Sequence, residues 1–175
     1  MNEYGVLIEP GTVCIQRMLP GPIERVWAYL TESEKRRTWL ASGEMDPMVG
    51  GQVHLEFNNS ELTDDATPPP ERYRSEGCTV TSEGRITLWE PPRQLAFTWS
   101  GGSHATFELT PSGAEVMLVV THRKLDDRGT LRSVAAGWHT HLDILQDRLR
   151  GQQPWPFWPT HTRLEQEYER LLPAA

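Results

Sequence analysis

A chain of 175 residues with 37% hydrophobic and 23% charged residues can close one hydrophobic core and is too apolar to remain unfolded. Its formal net charge of -7 excludes nucleic acid and anionic membranes as partners, because either demands a basic stripe to neutralise phosphates. The one basic cluster, Lys35-Arg36-Arg37 beside Glu32 and Glu34, reads as the solvated face of a helix. Cys14 and Cys78 form no CxxC pair and read as reduced thiols. The start Met1-Asn2-Glu3-Tyr4-Gly5 lacks a signal pattern and no apolar run would insert in a bilayer, so a cytoplasmic protein is expected.

The first predicted element is a strand over residues 12–19, rich in β-branched side chains and closed by Pro20-Gly21-Pro22. Pro22 suits the start of a helix, on which Ile23, Val26, Trp27 and Leu30 share one face. Thr31 followed three residues later by Glu34 has the form of a capping box and predicts a short second helix, anchored by Trp39 and Leu40. After Pro47 and Gly50-Gly51, residues 52–57 alternate, with Val53, Leu55 and Phe57 on one side and Gln52, His54 and Glu56 on the other: a half-buried strand. Residues 58–77 carry Asp64-Asp65 and Pro68-Pro69-Pro70 and predict an exposed, mobile loop.

Four strands follow, over 84–90, 94–100, 105–110 and 114–123, and their short connections make an antiparallel meander. The run Val116 to Val120 is apolar at every position, so alternation leaves its buried face undecided. Over 132–150 the period becomes 3.6: Val134, Trp138, His141, Leu142, Leu145 and Leu149 form one stripe, stopped by Gly151. On that rotation His139 and Asp143 face outward. In the tail, Pro156 and Pro159 deny a continuous helix, so Trp155, Phe157 and Trp158 are expected to lie extended across the protein's own body. A short helix docked by Leu164, Tyr168 and Leu171 follows.

Four stretches are more specific than the element order: Leu19-Pro20-Gly21-Pro22-Ile23-Glu24-Arg25-Val26-Trp27 leading to Trp39-Leu40; Pro47 with Gly50-Gly51; Glu90-Pro91-Pro92-Arg93-Gln94-Leu95-Ala96-Phe97-Thr98-Trp99; and Gly137-Trp138 followed by His141-Leu142-Asp143 and Leu145. Together they resemble the START-like superfamily, which includes the birch-pollen allergen and is also called SRPBCC. Within it the likeness is to the bacterial branch similar to the C-terminal domain of the activator of the ninety-kilodalton heat-shock protein's ATPase. The long loop around Pro68 and the tail after Gly151 depart from that pattern.

The resemblance implies an α+β helix-grip fold over residues 1–151, a curved antiparallel sheet wrapped around a long C-terminal helix, with 152–175 packing on it as an appendage. It also implies an apolar cavity between sheet and helix, and by its name a link to the stress response. Sheet alternation and the helical stripe then draw the wall of that cavity as Val53, Leu55, Phe57, Ile86, Leu88, Leu95, Phe97, Trp99, Phe107 and Leu109, closed by Trp138, His141, Leu142 and Leu145.

No phosphate loop, dinucleotide fingerprint, zinc-protease or nucleophile-elbow motif occurs, and His139 and His141 lie on opposite sides of their helix, so neither a metal nor a cofactor is implied. Glu56 and Glu108 alternate with apolar neighbours and point to solvent. His141 has two readings: a core histidine satisfied by a backbone carbonyl or a strand side chain, or the polar handle of the cavity. The tryptophans read mainly as core, with Trp99 and Trp138 placed to touch a ligand, and Trp27 and Trp39 bracing the short helices. The expected function is binding of a hydrophobic, aromatic or lipid-like small molecule without catalysis. A co-chaperone-like module holding a protein client, with Trp155, Phe157 and Trp158 as anchors, is the alternative. A cyclase-like enzyme would require an acid or tyrosine against His141.

Overall fold

The computed structural model describes residues 3–74 and 79–173; Cys78 and the end of the long loop lie outside them. Seven strands, β1 (Val6–Glu9), β2 (Thr12–Pro20), β3 (Gln52–Phe57), β4 (Val80–Glu90), β5 (Gln94–Thr98), β6 (His104–Ser112) and β7 (Glu115–Arg123), form one sheet in the order β1-β2-β7-β6-β5-β4-β3. Every neighbouring pair is antiparallel. The chain enters the grip through α1 (Ile23–Thr31) and α2 (Ser33–Arg36) between β2 and β3, and closes it with α4 (Arg128–Arg150) after β7. The remaining α-helices among the described residues are α3 (Glu71–Arg74), in the long loop, and α5 (Phe157–Leu171), and a 3-10 turn spans Asn59–Glu61.

The apolar faces meet as their spacing requires. Val26 and Leu30 of α1, Val53 and Leu55 of β3, and Phe97, Phe107 and Leu109 of the meander are buried together with Leu142 and Leu145 of α4. In β7 it is Val116, Leu118 and Val120 that turn inward. Helix α4 runs from Asp127, whose carboxylate accepts the Thr130 amide at 2.8 Å, to Gly151, whose φ of 68° ends it.

Several expectations are corrected. The capping box does not form: the Thr31 hydroxyl donates to the Trp27 carbonyl at 2.9 Å, and Glu32 precedes α2 without a side-chain cap. Arg36 is not solvated but buried, donating to the carbonyls of Ala41, Leu30, Thr31 and Gly43, where it ties the end of α1 to the next turn; only Lys35 and Arg37 pair at the surface, with Glu32 and Glu34. Strand β1, an exposed edge strand, has no counterpart among the expected elements.

A bulge between Ile86 and Leu88 shifts the alternation of β4, so Trp89 turns inward against Trp27, with ring centroids 5.2 Å apart, and Leu88 leaves the concave face. The tail also differs. Pro159 is tolerated because it occupies the first turn of α5, where a backbone N–H has no helical acceptor. Helix α5 lays Leu164 and Tyr168 on the small Ala135 and Ala136 of α4, burying His139, whose Nδ1 lies 3.0 Å from the Tyr168 hydroxyl; Asp143 is half-buried and accepts from Arg17 at 2.8 Å. Phe157 and Trp158 are buried, but Trp155 is 79% and Leu171 57% exposed, against expectation. The long loop is held down by α5 in turn: Thr63 Oγ1 accepts the Phe157 amide at 3.1 Å, and Ser60 Oγ accepts the Trp158 indole N–H at 2.9 Å.

Candidate ligand-binding site

The middle of the concave face is filled, and the space lies at one end of the grip. There the β5–β6 hairpin, the end of β7 and the first half of α4 line an open-mouthed cavity of about 410 Å³. Its inner wall is aromatic. Phe57, Trp99 and His122 are ranged beside one another, with Trp99 at 5.7 Å from Phe57 and 5.5 Å from His122, and the Trp138 ring stands perpendicular to Trp99 at 5.8 Å. The mouth carries Lys124, Asp126, Asp127 and Thr130, with Lys124 in the left-handed region at φ 62°.

The hydrogen bonds of the wall fix its proton positions. The Trp138 indole N–H can only donate, and it lies 3.0 Å from His122 Nδ1; that nitrogen is therefore a lone-pair acceptor and His122 is protonated on Nε2. His122 Nε2 in turn lies 2.9 Å from Ser103 Oγ, so Ser103 accepts from it and keeps its own proton for another partner. His141 Nδ1 lies 2.8 Å from the Trp39 carbonyl, which can only accept, so Nδ1 is the protonated nitrogen and Nε2 retains a lone pair. Burial pushes both imidazoles down to about 4 from 6.5, so both are neutral at physiological pH. The Trp99 indole N–H is buried and has no partner among the described residues. The cavity thus has a mostly apolar inner wall that carries the hydroxyl of Ser103 and the imidazole of His141, with charged side chains confined to its mouth.

Of the wall read from the sequence, Phe57, Trp99, Trp138 and His141 line this cavity. Val53, Leu55, Ile86, Leu95, Phe97, Phe107, Leu109, Leu142 and Leu145 are instead interlocked in the packed core, and Leu88 is off the face. Alternation identifies buried positions but not the gap between them. His141 satisfies the backbone-carbonyl reading and also lines the cavity. Sequence reasoning missed His122, Ser103, Leu40 and Gly137. Gly137 did carry a signal: a glycine inside a helical stripe, beside Trp138, needs a packing reason. No packing contact demands it here, since a Cβ at Gly137 would meet nothing within 4 Å; the position faces open space instead.

An antiparallel sheet gripping one long helix, with an aromatic cavity at its end, defines a helix-grip protein of the SRPBCC type. Residues 20–150 match the family described as Activator of Hsp90 ATPase homolog 1-like protein, and the chain belongs to that family. A solution NMR structure of a protein from Bordetella parapertussis is 41% identical, with a TM-score of 0.82, covering 99% of this chain and 92% of that one. CalU16 from Micromonospora echinospora is 22% identical with a TM-score of 0.66, covering 91% of this chain and 84% of its own. DynU16, from the dynemicin biosynthetic locus, is 18% identical with a TM-score of 0.64, covering 83% of this chain and 49% of its own. The latter two share the fold. No curated protein matches the chain. Among the described residues, no helix is long and apolar enough to cross a membrane.

Proposed function

We propose that the protein binds a hydrophobic small molecule, flat and aromatic rather than lipid-like, in the cavity between the β5–β6 hairpin and α4, without a cofactor and without breaking a bond. A cytoplasmic setting belongs to the same reading. The observation that carries it is Gly137: in the middle of a 23-residue helix, a residue that disfavours helix by roughly 1 kcal/mol relative to alanine faces open space between aromatic walls. The volume of about 410 Å³ falls within the range of small-molecule sites, and rings standing parallel and perpendicular to one another suit a planar guest. His141 is engaged by a carbonyl and by the rings of Phe57 and Phe157, which supports a binding role over acid–base work. Two of the three anchors expected for a protein client, Phe157 and Trp158, are buried in the chain's own body.

The test is native mass spectrometry of freshly purified protein against its denatured mass, followed by tryptophan-quenching titrations with a panel of flavonoids and fatty acids. A small-molecule adduct, or saturable quenching by the aromatic members, is expected. Absence of both would overturn the proposal.

A further inference from the structure

A second cavity, of about 210 Å³, adjoins the first, and both are lined by Phe57, Gly137 and His141. Its far wall is built by the long loop and α5, which begins beyond the residues matched to the family, and its chemistry differs. Beside Phe157 and Trp158 it presents the polar side chains of Asn59, Ser60, Tyr73, Ser133 and His161.

The donors and acceptors there can be counted. Tyr73 has one proton, and at 2.7 Å from Glu165, whose carboxylate is paired with Arg72, that proton is donated to Glu165. The Ser133 hydroxyl, 3.0 Å from the same phenol oxygen, must then be the donor to it, which leaves the Ser133 oxygen an unused acceptor. Ser60 accepts from Trp158 and keeps its proton. Two further groups are buried without any hydrogen-bond partner among the described residues: Asn59 Oδ1 and His161 Nδ1. His161 is 4% exposed, and the Glu165 oxygen nearest its Nδ1 is 3.7 Å away, beyond hydrogen-bond reach.

Buried polar atoms left unpaired cost on the order of 1–3 kcal/mol each, and two of the residues that line the chamber carry one, beside the free Ser60 proton and the free Ser133 lone pair. No lining residue carries a formal charge, since burial depresses both His141 and His161 to the neutral form; a carboxylate or ammonium guest would lose its hydration with no counter-ion. Hydroxyl groups, which donate and accept at once, match a wall of mixed donors and acceptors.

We infer that this second chamber is a subsite for an uncharged, hydroxyl-rich end group of the ligand whose aromatic body fills the first cavity, the two parts joined across the open space at Gly137. The inference rests on the binding reading above and adds the chemistry of the second half of the guest.

A matched pair of probes tests it by titration calorimetry: 2-naphthol, which supplies only the aromatic body, and its β-glucoside, which adds an uncharged hydroxylated ring. The intact protein should bind the glucoside about tenfold more tightly than the naphthol. His161→Phe, which keeps a ring against Phe157, and the milder Ser133→Ala should each shrink that preference while leaving the naphthol affinity within about twofold. Equal affinities in the intact protein, or a preference that survives both substitutions, would overturn the subsite and leave the first cavity standing. Failure of both probes to bind would overturn the binding of aromatic guests itself, and the subsite with it.

Discussion

Replacing Gly137 separates a hollow site from a packed one. In Gly137→Ala the backbone is already helical and the new methyl group would meet nothing within 4 Å, so the substitution removes the conformational disadvantage of glycine with no steric cost. The expected gain is about 0.5–1 kcal/mol, which for a chain of this size raises the melting temperature by roughly 1–4 °C. Urea unfolding followed by far-ultraviolet circular dichroism, with calorimetry as the second probe, reads both quantities. Gly84 supplies the contrast, because there a Cβ would collide with the Thr98 carbonyl across the strand pair, and Gly84→Ala should be strongly destabilising. Enlarging the side chain further, as Gly137→Leu, should occupy the cavity and abolish quenching by aromatic ligands while the protein stays folded. A loss of stability above about 1 kcal/mol in Gly137→Ala would refute the argument, since it would mean that the space beside the helix is already taken.

Three other expectations follow from the same packing. Burial holds His122, His139, His141 and His161 below their usual 6.5, at about 4, 3, 4 and 3. As pH falls from 6.5 toward 4 the unfolded chain takes up protons that the folded one refuses, so stability is full above 6.5 and declines through that window; a urea midpoint that stays flat from pH 7 to 4.5 would contradict it. Leu142→Ala should cost about 2–5 kcal/mol in urea unfolding, because Leu142 is fully enclosed and lines neither cavity, whereas a cost below 1.5 kcal/mol would place it on a void. Truncation after Gly151 removes Phe157, Trp158, Leu164 and Tyr168 from the surface of α4 and the long loop, and should lower the melting temperature at every protein concentration. An unchanged melting temperature would show that α5 contributes nothing to the fold.

The elements that were legible in the sequence are those with one wet and one dry face. Strand β3 shows it best: Val53 and Leu55 are buried and Gln52 and Glu56 exposed, as strict alternation requires. Helix α4 was legible along the stripe that meets the sheet and illegible on its other side, because a second covering layer puts no 3.6-residue signature of its own into the helix beneath it. Ala135, Ala136 and His139 are a small, small, polar set, and only the presence of Leu164 and Tyr168 opposite them makes them interior. Strand β1 escaped although Val6, Leu7 and Ile8 are apolar, because four residues are too short a run to show a period and only Leu7 packs against the body of the protein. The bulge in β4 lies between, a local backbone event that reverses the side chains after it without leaving a mark on the pattern before it.

The site itself was half legible, and the reason bears on how such cavities arise. Hydrophobic periodicity reports which face of an element turns inward, and a side chain turns inward equally by touching a neighbour or by walling a hollow. Phe97 and Phe107 on the one hand and Trp99 and Trp138 on the other carry the same signal, yet the first pair is interlocked with the core and the second stands at a hollow. What distinguishes them is the missing volume opposite, and missing volume is written in a sequence only where a residue is smaller than its place requires. On α4 that residue is Gly137, seen by both cavities and next in sequence to the tryptophan that walls the first of them. A glycine in the interior of a long helix, at no turn, facing no backbone and in no left-handed conformation, has lost helix stability without local return, and what it leaves in exchange is open space beside the helix.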